Sequence, residues 1–424
     1  MTSFTFEDEE AQSLDLADPL SSLRKEFCIP LDSSGNEEAY FAGNSLGLMP
    51  KETTLAMERA LSDWGSKGVR GHFEGDDSWY QYDERVSALQ AELVGATEKE
   101  VGVMGSLTTN LHMLMASFYR PAKERQKILI EPHAFPSDRY AAASQVTWHG
   151  GNPEKDVIEI KAENPDEVTI ADVSATLAEH GDRVALALIG GLNYYTGQYH
   201  DLPSWMQEFR KYEIPVGLDL AHAVGNVPLQ LHKLDVDFAA WCTYKYLNAG
   251  PGSISGYFVH EKHHQNPDLI RLAGWWGNDP ETRFDMHGQE RFYPRQSADG
   301  WKVSNPALFS MVPLKTSLEM FQAIGFTALR ERSVRLTAYL EEGIQTIDGV
   351  ESITPEGPHS RGCQISVRVQ GDASTMEQIL IREGIVPDAR DPDVLRFAPT
   401  PMYSSFADIA RAIRQLEKLI SRSV

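Results

Sequence analysis

A large, mostly parallel α/β sheet followed by a smaller α+β unit is the fold class this sequence predicts. Three observations lead there. Between Lys127 and Val259, short runs that are almost wholly apolar (KILIE, VALALIG, IPVGLDL, DFAAW, ISGYFV) recur between loops and helical stretches. Strands of that composition belong to a sheet covered on both faces. Amphipathic helical periodicity frames this region on its N-terminal side. Beyond Pro306 the pattern changes to a long helix and then alternating strands and helices, enough for a separate small unit.

The elements follow in order. An acidic start, MTSFTFEDEEAQSLDLADPL, leads into the short extended stretch EAYFAGNSLGLMP. Pro50 opens a helix with Met57, Leu61 and Trp64 on one stripe, read as packing. A second helix carries Tyr82, Val86, Leu89 and Leu93 and stops at Gly95. A third, after GVMGSLTTN, carries Leu111, Leu114, Met115 and Phe118. The apolar runs come next, as strands around Ile130, Leu186, Val216, Ala239 and Tyr257. LFSMVPLKTSLEMFQAIG reads as one long helix linking the two units. CQISVRV and VLRFAP are strands with a helix near Ile379 between them. The last helix turns Ile409, Ile413, Leu416 and Ile420 to one side.

Composition narrows the function. The 424 residues, 42% hydrophobic, supply core for two or three domains. The 61 acidic residues against 39 Lys and Arg give a formal charge of -22, a surface that repels nucleic acid and anionic lipid. Neither is expected as a partner. Three scattered cysteines, Cys28, Cys242 and Cys363, point to a reducing compartment. The N-terminus lacks the basic and apolar regions of a secretion signal, and no apolar run is long enough for a membrane span. The expectation is a cytoplasmic protein.

Several short stretches carry chemistry. In TYKYLNAGPG, the strand DFAAW delivers Lys245 to the edge of the sheet where ligands bind. A desolvated amine there suits Schiff-base chemistry; an exposed loop lysine is the alternative. Asp219 ends an apolar strand in GLDLAHAVG, with His222 three residues on. A shielded carboxylate in that place either holds a proton on a heteroaromatic nitrogen or caps the next helix. In GSLTTN, Ser106, Thr108 and Thr109 precede a helix, as a phosphate site or as a simple N-cap. PHAFPSDRY offers Phe135, a stacking ring or a loop anchor, and Asp138. Arg396 in VLRFAP is shaped for bidentate contact with a carboxylate, or faces solvent from an edge strand. HEKHH at His260–His264 matches the zinc-protease pattern in letters only. A strand precedes it, NPD follows, and no apolar stripe supports the helix that ligation would need. No metal is expected.

Together these segments resemble the kynureninases, pyridoxal-phosphate enzymes of the aspartate aminotransferase-like fold, fold type I. The resemblance runs through YFAGNSLGLMP, GSLTTN, FPSD, NYYTGQ, GLDLAHAVGN, WCTYKYLNAGPGS, GWWG, KVSNP and LRFAPTPMY, nearly the whole chain. It implies a seven-stranded, mostly parallel sheet in a large cofactor-binding domain over 51–310. The N-terminal segment 1–50 would belong with the small domain, and 311–424 would supply the linking helix and the rest of it. It further implies hydrolysis of L-kynurenine to anthranilate and L-alanine in tryptophan catabolism, on the route to NAD, by a homodimer with its active site near the interface.

The resemblance also implies roles, residue by residue. Lys245 matches the lysine that binds pyridoxal 5'-phosphate as a Schiff base and then moves the α-proton. Asp219 matches the group that keeps the pyridine nitrogen protonated, His222 lies beside the ring, and Phe135 stacks on it. Leu107 and Thr108 belong to the phosphate-binding turn, and Pro136, Ser137 and Asp138 to a cofactor-contacting loop. Tyr244 touches the phosphate and is a candidate for proton transfer, as is an ordered water. Trp275 and Asn305 match further cofactor contacts, often given by the neighbouring subunit. Arg396 matches the arginine that grips the α-carboxylate, while His72, in KGVRGHFEGDDSW, and Asn305 border the substrate. One departure stands out. Gly190 occupies a position where family members often carry a hydroxyl, with Tyr194, Tyr195 or Thr196 as candidates to replace the lost hydrogen bond. The choice between kynurenine and its 3-hydroxy form stays open. A cysteine desulfurase or β-lyase of the same fold would need a reactive cysteine on a mobile loop, whereas Cys363 in RGCQIS sits in a strand-like context. A non-catalytic scaffold is at odds with Lys245, Asp219 and Arg396 occurring together.

Overall fold

In the computed structural model of the chain, residues 4–421 are described; 1–3 and 422–424, the outer ends of the first and last expected segments, lie outside the described residues. A short strand, β1 (Ala39–Tyr40), comes before the central sheet. That sheet is built from β2 (Val101–Met104), β3 (Lys127–Ile130), β4 (Val157–Glu159), β5 (Val184–Gly190), β6 (Val216–Asp219), β7 (Phe238–Trp241) and β8 (Ser255–Val259). The strand order is β2-β8-β7-β6-β5-β3-β4. Only β8 runs antiparallel to its neighbours; β7, β6, β5, β3 and β4 pair in parallel.

The apolar runs explain themselves in this setting. Every residue of β5 is buried, and its side chains alternate between two cores, as a pleat of period two requires. Leu186 and Leu188 pack with Leu111, Leu114 and Met115 of the helix Leu107–Phe118. Ala187 and Ile189 pack on the other face with Trp205, Phe209, Leu314 and Leu318. Two strands of this sheet are not assigned in the sequence reading: β2, within the stretch before the third helix, and β4, a half-buried edge strand.

A second sheet contains β9 (Val350–Ser352), β10 (Ile365–Val369), β12 (Asp388–Arg390) and β13 (Val394–Phe397), in the order β12-β13-β10-β9 and antiparallel throughout; β11 (Ile385–Val386) pairs in parallel with β1 instead. Phe6, Ala11, Ala39 and Phe41 therefore share a core with Leu336, Ile365, Val367, Ile409 and Ile413.

The linking helix spans Leu308–Ile324, as LFSMVPLKTSLEMFQAIG predicts; Gly325 adopts φ +85° and ends it, and a second helix that the sequence reading did not assign, Phe326–Gln345, follows. Two sequence readings change. The helix after Pro50 spans Glu52–Lys67, but its stripe is not covered: Leu61 is 51% and Trp64 58% exposed. Arg396 does not face solvent from an edge. Strand β13 lies between β12 and β10, and Arg396 is 0% exposed. Among the described residues no helix is long and apolar enough to cross a membrane.

Candidate active site

Parallel strands bring their C-terminal ends to one edge of a sheet, and ligands bind there. In this chain the ends of β3, β5, β6 and β7 open into a cavity of about 260 Å³. Leu107, Thr108, Phe135, Ser137, Asp138, Asp219, His222, Tyr244 and Lys245 all line it, together with Ser106, Glu131, Gly190 and Tyr194.

Lys245 follows β7 directly. Its Nζ donates to His222 Nε2 at 2.9 Å and lies 5.8 Å from the centre of the Phe135 ring. Burial, then the charges of Lys245, Arg396 and Arg390, hold His222 well below the usual histidine range, so the imidazole is neutral and Nε2 is free to accept. Its Nδ1 has no hydrogen-bond partner. Asp219 ends β6 and accepts the Ala221 amide at 2.7 Å, so it closes the turn after the strand and faces the cavity at once. Asp138 reaches it from the first turn of the helix Pro136–Trp148. Burial, the Asp219 charge beside it and the charge of Glu131 push Asp138 well above the carboxylate range. Burial also raises Asp219, against the hydrogen bond from Asp138. Two carboxyl groups this close share a proton, here held by Asp138. Asp138 Oδ1 is otherwise unpaired.

Opposite this acid pair the helix Leu107–Phe118 begins. Its N-cap Ser106 makes no side-chain cap, and its hydroxyl pairs with Thr109 instead. Thr108 Oγ1 meets Ser137 Oγ at 2.9 Å, joining the two helix starts into one patch of hydroxyls and amides. Tyr244 is held phenolic by burial, with the Cys242 thiol as its neighbour, which makes it a donor rather than a base.

The remaining expected site residues lie apart. Pro136 is the first residue of its helix and does not line the cavity. Arg396 reaches the cavity only through Tyr194: Nη1 donates to the Tyr194 carbonyl at 2.7 Å, and the guanidinium sits 5.8 Å from that ring's centre. Nε and Nη2 go to Asp388 Oδ1, at 3.0 Å and 2.5 Å, and Nη2 also lies 3.5 Å from Ser45 Oγ. His72 and Asn305 line a second, aromatic cavity of about 320 Å³ with Trp64, Trp79, Trp276 and Phe309. Trp275 is 37% exposed beside the loop that follows it.

HEKHH forms no helical zinc site. Glu261–His263 make a tight turn straight after β8, and His264 Nε2 pairs with the Val259 carbonyl. His260 instead stacks on His232, and their ring nitrogens lie within 4.8 Å of a Glu100 carboxylate oxygen. That carboxylate already takes His232 Nδ1 and the Glu261 amide, each at 3.0 Å, and His260 Nδ1 takes the Lys262 amide. Cys363 is fully buried, and burial pushes its thiol up to about 12, so it is packing rather than a nucleophile.

The sequence reading missed Glu131 and Asp388, and named Tyr194 only as one of three candidates to stand in at Gly190. Glu131 had the same signal as Asp219, a carboxylate closing an apolar strand (KILIE).

Comparison with known proteins agrees with this geometry. Residues 329–416 match the family model of the kynureninase C-terminal domain. The chain is 45% identical over 407 residues to the kynureninase of Flavobacterium psychrophilum, covering 95% of each chain. It is 48% identical over 414 residues to that of Salinispora tropica, covering 96% of this chain and 95% of the relative. Among solved structures, a cysteine desulfurase from Thermococcus onnurineus superposes with a TM-score of 0.75 at 16% identity, covering 95% of this chain and 98% of its own. The cystine C–S lyase C-DES superposes at 0.74 with 17% identity, covering 90% of this chain and 97% of its own. At such identity the likeness is one of fold.

Proposed function

The chain belongs to the kynureninase family, and on that premise we propose which of its residues carry the reaction. The reaction is the hydrolysis of L-kynurenine to anthranilate and L-alanine, dependent on pyridoxal 5'-phosphate. The observation that carries the assignment of residues is a single cavity. It joins one lysine, a proton-sharing acid pair, a neutral histidine, an aromatic face and a helix start rich in hydroxyls.

That donor set fits the cofactor. The unpaired His222 Nδ1 and Asp138 Oδ1 are buried polar atoms waiting for a partner, and the hydroxyl patch at Thr108 and Ser137 suits a phosphate. When bound, pyridoxal phosphate supplies an electron sink joined to the substrate's α-carbon. Lys245 would hold it covalently through its amine and, with that amine free again, would be the base placed to take the α-proton. Asp219, kept ionised by the proton on Asp138, stabilises a positive charge on the ring nitrogen. Phe135 covers one ring face. Tyr244, which keeps its proton, donates a hydrogen bond near the phosphate and the reacting carbonyl. Water adds to the γ-carbonyl, the Cβ–Cγ bond breaks, anthranilate leaves, and the β-carbon takes a proton to become alanine. Arg396 orients the substrate through its α-carboxylate.

His72, Asn305 and Trp275 lie away from the Lys245 cavity of their own chain, and we place them at the cavity of a second copy. The uncovered Trp64, which lines the cavity of His72 and Asn305, and the uncovered Leu61 on the same helix support a homodimer that buries this face. In that arrangement His72 and Asn305 meet the aryl end of the substrate. The enzyme then stands in tryptophan catabolism, upstream of NAD synthesis. The test is fluorescence of anthranilate released from L-kynurenine by the cofactor-loaded protein, with alanine in equal amount. 3-Hydroxykynurenine run in parallel measures the preference between the two. No anthranilate from a protein that carries the cofactor on Lys245 would refute the assignment.

A further inference from the structure

Glu131 closes the apolar run of β3 and is buried in the wall of the Lys245 cavity. Its Oε1 accepts the Gly190 amide at 3.0 Å, and its Oε2 meets His200 Nε2. His200 is itself buried, stacked on Trp205 at 4.3 Å, and its Nδ1 has no hydrogen-bond partner. A carboxylate is costly to bury, and this one is clamped from two sides. None of the steps above uses it. Gly190 is what makes room. A Cβ at 190 would overlap Glu131 Oε1 and lie 3.2 Å from its Cδ. Of the other candidates for that wall, Tyr194 lines the same cavity, while Tyr195 stacks on His133 and Thr196 Oγ1 accepts the Gln198 amide. The titratable and charged groups facing Glu131 are His200, Asp138, Asp219 and Lys245, with His222 in the same cavity.

We propose that Glu131 is a positioning residue of this active site: clamped by His200 and the Gly190 amide, it supplies the fixed polar wall that residue 190 lacks, and its charge favours positive charge on the cofactor bound at Lys245. The inference rests on the assignment of Lys245 as the cofactor's lysine. The same charge already acts on the acid pair, where it helps to raise Asp138 and Asp219.

The test uses the full chain loaded with pyridoxal phosphate. Glu131→Gln keeps the shape and removes the charge. It should lower by about one unit the pH at which the bound cofactor's visible absorption changes, because a nearby anion favours the protonated form. Gly190→Ala should weaken cofactor binding about tenfold by displacing Glu131, while in a Glu131→Ala background the same substitution should change it less than about twofold. A structural role alone would lower thermal stability and leave the absorption titration in place. An unshifted titration in Glu131→Gln, or an equal cost of Gly190→Ala with and without Glu131, overturns the proposal. Should Gly190→Ala not fold, the Glu131→Gln titration decides alone. A wild-type protein that takes up no cofactor, or carries it on another lysine, overturns the site assignment and this proposal with it.

Discussion

Arg396→Lys separates two roles that the structure sets against each other. Arg396 is 0% exposed, and its nitrogens contact Asp388 Oδ1 at 3.0 and 2.5 Å, the Tyr194 carbonyl at 2.7 Å and Ser45 Oγ at 3.5 Å. A lysine keeps the charge beside Asp388 but has one nitrogen in place of a planar fork. The Tyr194 carbonyl would still hold Gln364 Nε2 at 2.9 Å, so no acceptor is orphaned. The fold should therefore lose about 1–2 kcal/mol, the worth of one or two buried hydrogen bonds. Catalysis should lose more. If Arg396 grips the substrate's carboxylate, the missing charge-assisted bonds are worth about 2–3 kcal/mol, or roughly 30- to 150-fold in kcat/KM, seen chiefly in KM. Asp388 takes Nε and Nη2 of Arg396 and also lies 3.1 Å from Arg390 Nη2, so a substrate carboxylate competes with an existing ion pair for the guanidinium. The assay is anthranilate release against kynurenine concentration, beside a thermal melt and the cofactor spectrum. A lowered melting temperature with near-normal kcat/KM would refute the substrate role and leave Arg396 as a clasp for Asp388.

Further outcomes follow from the same site. Borohydride reduction should fix pyridoxal phosphate to a single peptide containing Lys245, and Lys245→Ala should retain the cofactor only reversibly with nearly all turnover lost; a label on another lysine would contradict this. Burial and the Asp219 charge raise Asp138 in the folded state, so the native cofactor-free protein binds more protons than the unfolded chain, and stability falls as pH rises above the ordinary carboxylate range. Asp138→Asn should accordingly raise the melting temperature of the cofactor-free protein at about pH 8 and have little effect near pH 4; a shift equal at both pH values would contradict the assignment. Trp64, 58% exposed, should matter to assembly: Trp64→Asp should move sedimentation toward monomer on dilution, and an unchanged profile would remove this face from the interface.

What was legible in the sequence is what the chain states locally. A run such as VALALIG can satisfy its apolar side chains only inside a covered sheet, and each such strand in a parallel sheet points its last residue at the same edge. The strands IPVGLDL and DFAAW could therefore place Asp219 and Lys245 near that edge, without separating them from a helix cap and an exposed loop lysine, and KILIE could in principle place Glu131 there too. The uncovered Trp64 was misread for the opposite reason. Periodicity shows that a helix has an apolar face but not whether this chain or another covers it.

What was not legible depends on contacts between distant residues. Glu131 meets His200 from 69 positions away, and Arg396 donates to Tyr194 across 202. No local pattern encodes those pairings, yet they set the charge of the site. Gly190 shows why this matters. Read by position, it is a lost hydroxyl; read in the fold, it is the space that a neighbouring carboxylate fills. The strand ends decide which residues face the cavity, and the long-range clamps bear on the ionic state in which they face it. Substitutions at Lys245 or Asp219 should therefore abolish turnover, whereas substitutions at His200, Gly190 or Asp388 should first displace its pH dependence and KM.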